Sequence, residues 1–350
     1  MNQAPHPKLL SKKLLKSEVP SAQAVKPTLV IVSPALASAN NGNWQTAKRY
    51  RQLLKAYFRV QLVSEWVGAN SDDVLIALHA RRSFSSIAAW HAMHGAKGLV
   101  VVLTGTDLYR DIQHDSQAQK SLEFAARLVV LQSMGLNELP APFKAKTSVL
   151  LQSTTPRVTL PKTKRCIRVV MVGHLREEKS PRTLFEAAAL LEQHPDIHLQ
   201  HIGAEHDQVL ANMAHQTAAL YPLYQFTGAL TYSETRRQIQ RSHVLVHTSV
   251  MEGGAHVIME AALCGTPVLA SRIAGNVGML GAGYGGYFPP GDAAALAALL
   301  REARADIGSD AGLLCQLQAQ CSARAPLFEP RAEQAALLAL LADVRQPEQP

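Results

Sequence analysis

The chain has 350 residues, 47% of them hydrophobic, and a formal net charge of +8. That length accommodates two domains, and that apolar content excludes an intrinsically disordered chain. The basic excess suits an anionic ligand, whereas an aromatic content of 5% supplies no stacking surface for nucleic acid, which is not expected as a partner.

Residues 1–27 hold Lys8, Lys12, Lys13, Lys16 and Lys26 without the apolar core of a signal peptide, and read as a flexible basic tail. Thr28–Val32 is an apolar, strand-like run. The turn-rich Pro34–Asn43 follows, then a helical pattern over Trp44–Phe58. Strand-like runs recur at Arg59–Val63, Val74–Leu78, Leu99–Leu103 and Arg127–Leu131. Continuous apolar strands separated by helices indicate a parallel sheet covered on both faces. From Pro140 to Pro161 the alternation lapses among prolines, basic residues and threonines, which marks a linker.

A second series begins with a strand at Ile167–Val172 and a helix over Arg182–Gln193. Further strands are expected at Ile197–Ile202, Tyr224–Phe226, Val244–His247 and Thr266–Ala270. Asp292 is suited to cap a helix over Ala293–Ala303, and an alanine-rich helix over Pro330–Val344 can pack back across the domain junction. The expected fold class is α/β, with two doubly wound, Rossmann-like domains facing a central cleft. The expected boundaries are a tail over 1–27, a first domain over 28–150, a linker over 151–166, a second domain over 167–325, and a C-terminal helix and tail over 326–350.

The four cysteines, Cys166, Cys264, Cys315 and Cys321, include no C-x-x-C pair. Cys166 and Cys264 sit in apolar surroundings as small core residues. The chain reads as a reduced, cytoplasmic protein. No apolar run reaches the roughly 18–20 residues needed to span a bilayer, so no stable membrane anchor is expected. The basic and aromatic residues of 44–58 fit a packed first helix or a membrane-surface helix. The histidines are scattered, and His201, His243 and His247 read as core or interface residues. No metal and no other cofactor is expected.

The densest motif is Glu252-Gly253-Gly254-Ala255-His256-Val257-Ile258-Met259-Glu260. It reads as a tight loop between a strand and a helix starting near Gly254. Glycines let backbone approach a ligand, and a helix start favours a phosphate or diphosphate. Glu252 then stands at the loop mouth and Glu260 two turns further in. Two carboxylates at different depths suit the vicinal diols of a nucleotide-sugar. Upstream, Gly173-His174-Leu175-Arg176-Glu177-Glu178-Lys179 closes a strand. Lys179 can place an ammonium on a diphosphate, with His174 or Arg176 as a second donor. The same loop also reads as a charged surface turn with Ser180 as the following helix cap.

In the first domain three strand ends gather polar residues. Asn40, Asn41, Gly42, Asn43, Gln45 and Thr46 follow the first strand. His79, Arg81, Arg82 and Ser83 follow the third. Thr104, Gly105, Thr106, Asp107 and Arg110 follow the fourth. Asn43 can open a helix towards the cleft as an anion site, and Asn43, Ser83 and Asp107 can equally serve as caps.

Gly173…Lys179, Glu252…Glu260, Gly265-Thr266-Pro267-Val268 and Gly291-Asp292 together resemble the donor half of retaining glycosyltransferases of family 4, with the GT-B fold. The resemblance implies that Lys179 binds the donor diphosphate, Glu260 the ribose and Glu252 the transferred sugar. Backbone amides of Gly253, Gly254, Ala255 and His256 would complete that site. His174 departs from the arginine the family usually has after the glycine, and Arg176 can compensate. With the first-domain stretches and Gly275–Leu280, the likeness extends from about residue 28 to 340 and is similar to the selenosugar synthases of selenoneine biosynthesis, a branch of that family. It implies transfer from a UDP-sugar, such as UDP-N-acetylglucosamine, to selenophosphate. Thr104 stands where related transferases often carry a histidine, and a selenium anion needs no proton removed. Thr104 and Thr106 would then shape the acceptor pocket, with Lys48, Arg81, Arg82 and Arg110 as candidate cations and Asp107 orienting the sugar. The alternatives are transfer to an alcohol or polyol phosphate, and a non-catalytic nucleotide-sugar binder, against which Glu252 argues.

Overall fold

The computed structural model describes residues 26–34, 42–68 and 71–345, so residues 1–25 of the expected tail, Asn40 and Asn41 lie outside the described residues. The first sheet contains β1 (Thr28–Val32), β2 (Arg59–Val63), β3 (Val74–Leu78), β4 (Leu99–Leu103), β5 (Arg127–Val130) and β6 (Thr147–Val149). Their order is β2-β1-β3-β4-β5-β6 and every pair is parallel. Every residue of β1, β3 and β4 is buried, as continuous apolar runs require in a doubly covered sheet. On one face, Val30, Leu75, Val101 and Leu103 meet Ile87 and Trp90 of α2 (Phe84–His94) and Leu122 of α3 (Ser116–Phe124). On the other, Leu29, Ile31, Ile76 and Val102 meet Ala47, Tyr50 and Leu54 of α1 (Gly42–Leu54).

The second sheet contains β7 (Ile167–Val172), β8 (Ile197–Ile202), β9 (Tyr224–Phe226), β10 (Val244–His247), β11 (Val268–Ser271) and β12 (Tyr287–Phe288). Its order is β12-β11-β10-β7-β8-β9, again all parallel. Its helices are α4 (Arg182–Leu190), α5 (Gln208–Leu220), α6 (Tyr232–Arg241), α7 (His256–Ala262), α8 (Ala274–Leu280), α9 (Ala293–Ala305) and α10 (Leu313–Arg324). The last helix, α11 (Pro330–Arg345), returns to the first sheet, where Leu337, Leu340, Leu341 and Val344 join the face covered by α1. Two chain segments therefore run between the sheets. They meet where Thr154 N donates to Phe328 O at 3.0 Å.

Several boundaries differ from the sequence pattern. Helix α1 starts at Gly42, so Asn43 is a helical residue rather than a cap. Helix α4 stops at Leu190, short of the expected Gln193, with the backbone leaving helical geometry at Leu191. Thr266 stays outside β11, its hydroxyl donating to Ile239 O at 2.9 Å. The stretch from Pro140 to Pro161 is irregular only from residue 150, since it first forms a helical turn at Ala141–Lys144 and then edge strand β6. Asp292 caps α9, accepting from Ala295 N at 2.8 Å. Among the cysteines Cys264 and Cys321 are buried, whereas Cys166 is only half-buried. Among the described residues no helix is long and apolar enough to cross a membrane.

Candidate active site

The carboxyl ends of both sheets face a shared cavity of about 280 Å³. Gly42, Asn43, Thr46, Thr104, Leu131 and Gln152 line its first-sheet side, and Gly173, His174, Lys179, Glu252, Gly254, Ala255 and His256 its second-sheet side. Strand order reverses between β7 and β10. Lys179 and Glu252 come from the loops after those two strands, the switch point where open α/β sheets bind ligands.

Three donors converge on one oxygen of Glu252. Oε1 accepts from Lys179 Nζ and from Ser249 Oγ at 2.8 Å, and His247 Nε2 lies at 3.4 Å. Burial works against the carboxylate charge, but the Lys179 ammonium and then His247 outweigh it and hold the carboxyl well below its usual range. The paired charges are poised at the cavity wall, where a ligand can replace one partner with its own groups. His247, expected to be a core or interface residue, is buried and also reaches Glu252, and nothing but its strand-end position signals that contact.

Gly253 explains how the motif loop reaches the other sheet. A Cβ there would stand 2.3 Å from the Thr104 carbonyl oxygen, so the loop touches the end of β4 only as glycine. Gly105, expected in the acceptor site, abuts Gly253 instead of lining the cavity.

Two neutral imidazoles flank Lys179. His174 Nδ1 accepts from Ala204 N at 2.9 Å. Burial, the edge-on His206 ring and nearby cations push its pKa down to about 4. His256 Nε2 lies 3.2 Å from Arg49 Nη1, and an arginine nitrogen can only donate. Burial, then Arg49, pushes its pKa down to about 3. Each ring therefore carries its single proton on the other nitrogen, which has no protein partner among the described residues.

Other expected donor residues are placed differently. Helix α7 begins at His256 rather than near Gly254, so Glu260 lies one turn in rather than two. Glu260 is buried and does not line the cavity. Burial raises its pKa to about 7, opposed by Arg236 and Tyr232 beside it. Arg176 is exposed and stands away from the cavity, because it follows the inward-facing Leu175.

The first-sheet residues divide in the same way. Asn43 is 9% exposed, lines the cavity and has no side-chain partner among the described residues. Thr46 Oγ1 donates to Gly42 O at 2.9 Å and accepts from Gln152 Nε2 at 2.7 Å. Gln152 was not signalled by any motif. Thr104 lines the cavity, but Thr106 and Gln45 do not. Asp107 is a correction to its expected role. It is fully buried and accepts backbone N–H bonds from Thr104, Gly105 and Ala80, each at 2.9 Å. Its carboxylate ties the ends of β3 and β4 together and offers nothing to a substrate. His79, at φ +74°, is buried and does not line the cavity, with Nε2 3.1 Å from Thr106 Oγ1. Arg81 and Arg110 both pair with Asp111, at 3.3 and 3.2 Å, and neither lines the cavity. Lys48 and Arg82 are exposed. Among the described residues no group of three or more His, Cys, Asp or Glu side chains is arranged to hold a metal ion.

Two parallel α/β sheets with a cleft between their carboxyl ends define the GT-B class of fold. Residues 154–313 match the sequence family described as Glycosyl transferases group 1. Over residues 154–313 the chain is therefore similar to group 1 glycosyltransferases, and as a whole it has the GT-B fold. Solved structures agree on the fold. A glycosyltransferase from Rickettsia africae ESF-5 superposes with a TM-score of 0.72 at 15% identity, over 92% of this chain and 100% of that one. HepE of Anabaena, solved in complex with UDP, gives 0.67 at 18% identity over 91% and 100%. Sucrose-phosphate synthase from Thermosynechococcus elongatus gives 0.69 at 17% identity over 91% and 99%.

Proposed function

We propose that this protein is a glycosyltransferase that transfers a sugar from a UDP-sugar, UDP-N-acetylglucosamine as the leading candidate, to the selenium of selenophosphate, as in selenoneine biosynthesis. In this reading the bond from the anomeric carbon to the diphosphate oxygen breaks and a carbon–selenium bond forms. Hydrolysis of the selenium–phosphorus bond then releases phosphate and leaves the selenosugar. The similarity to HepE, which binds UDP, supports a UDP-linked donor. Lys179 stabilises the leaving diphosphate, and Glu252 holds the hydroxyls of the transferred sugar. Asn43 and the start of α1 meet the anionic acceptor.

One observation carries the acceptor assignment. Among the described residues lining the cavity, the Glu252 carboxylate is held ionised by Lys179 and each imidazole has a nitrogen lone pair facing a donor. Glu252 Oε1 is held by Lys179 and Ser249, His174 Nδ1 by Ala204 N, and His256 Nε2 by Arg49. An alcohol has a proton to lose, and a selenium anion has none. The contrary observation is that Arg81, Arg82 and Arg110 stay out of the cavity, which favours a less charged acceptor such as an alcohol. The two readings separate in an acceptor panel. Purified protein with UDP-N-acetylglucosamine or UDP-glucose is given selenophosphate, thiophosphate, inositol phosphate or no acceptor, and product masses are recorded. A selenosugar mass with selenophosphate is expected. UDP release with inositol phosphate, and none with selenophosphate, would give the site to the alcohol reading.

A further inference from the structure

Behind His256 lies a buried ionic chain that joins segments far apart in sequence. Arg49, on α1 of the first sheet, donates from Nε to Glu333 Oε1 at 3.0 Å and Oε2 at 2.8 Å. Glu333, in the first turn of α11, is 1% exposed and also accepts from Ser153 N at 2.9 Å. Burial raises its pKa, and Arg49 and Ser153 oppose that shift. Arg49 thus brings a guanidinium with its counter-ion to the start of α7, on the other sheet. Its Nη2 is buried without a partner, which is costly, so satisfying its own donors does not explain its position.

The consequence concerns one proton. A free neutral imidazole prefers to carry its hydrogen on Nε2. Arg49 occupies that nitrogen's lone pair and moves the hydrogen to Nδ1, in a ring that lines the cavity beside Lys179 and Glu252. We propose that Arg49 is a positioning residue for His256, fixing the Nδ1–H tautomer so that this N–H donates to the diphosphate of a nucleotide-sugar held at Lys179. The ligand half of this inference rests on the UDP-sugar reading above; the tautomer half does not. A diphosphate oxygen only accepts hydrogen bonds, so the unassisted tautomer would turn a lone pair towards it. Because Arg49 and His256 belong to different sheets, the donor site is complete only while α1 and α7 are in contact.

The test combines a spectroscopic and a binding readout on the full chain. In ¹⁵N-histidine NMR, with the His256 signals identified by their loss in His256→Asn, the wild type is expected to carry its hydrogen on Nδ1. Arg49→Met is expected to move it to Nε2. Calorimetric titration with UDP then separates the two nitrogens. His256→Gln has no donor at the Nδ1 position and is expected to weaken binding about tenfold or more. His256→Asn places an amide N–H near the Nδ1 position and is expected to restore most of that loss. The Arg49→Met and His256→Gln losses are expected to overlap in the double variant instead of adding. Both histidine variants leave the Arg49–Glu333 pair intact, so the test survives if Arg49→Met fails to fold. A wild-type hydrogen on Nε2, or equal losses in His256→Asn and His256→Gln, would overturn the proposal alone. A wild type that binds no UDP would overturn the donor reading and the ligand half with it.

Discussion

Glu252 is the residue on which the site turns. Its carboxylate is ionised by Lys179 despite its burial, and in the proposed function it meets the transferred sugar rather than the nucleotide. Glu252→Gln keeps the shape and removes the charge. It is expected to lower kcat about 100-fold or more while leaving UDP affinity within a few-fold, as initial rates and calorimetry would record. Glu260 behaves oppositely. Its folded pKa is raised to about 7 from 4.5, so the unfolded chain ionises first as pH rises. Its contribution is therefore fully present below about 4.5 and lost as pH climbs through about 7. Thermal unfolding should show wild-type stability falling across that window, by on the order of 1–3 kcal/mol more than in Glu260→Gln. Glu333 shifts in the same direction, which is why the variant supplies the reference.

The elements were largely legible because both sheets are buried on both faces. A run such as Leu99–Leu103 has no polar alternative, and nine of the strands lie within a residue of the spans their sequence pattern marks. Helix starts were less legible, since they depend on tertiary contacts. Asp107 illustrates the limit. A carboxylate after a strand reads the same whether it meets substrate or backbone, and only the folded chain brings Ala80 N to it. Asp107→Ala would leave three backbone donors without their acceptor. A loss of about 3 kcal/mol or more is expected in urea unfolding, with activity per folded molecule less affected. At Gly253 the sequence signal was right and its cause differed. The glycine serves contact between a loop and a strand end of the other sheet. Gly253→Ala is expected to cut turnover strongly and to increase the radius of gyration in small-angle scattering, with little change in the unfolding midpoint.

At the scale of the molecule, the parts that sequence could not show are those joined across long separations. Arg49 and Glu333 are 284 positions apart, and each alone reads as a surface charge on a helix. The helix carrying Glu333 also completes the first sheet. Leu341→Ala on α11 is expected to cost about 2–5 kcal/mol, because the side chain is fully buried against β1, β3 and α1. The cleft itself, by contrast, was legible from Lys179 and Glu252 together, since two loops of matching motif pointed to one ligand.

The central claim is that this cleft holds the diphosphate of a UDP-sugar on Lys179. Calorimetric titration of UDP into the wild type and Lys179→Met tests it most directly. One site per chain is expected in the wild type, weakened at least about tenfold in the variant, since a phosphate loses its charged donor. Equal binding by both proteins, or none by the wild type, would contradict it.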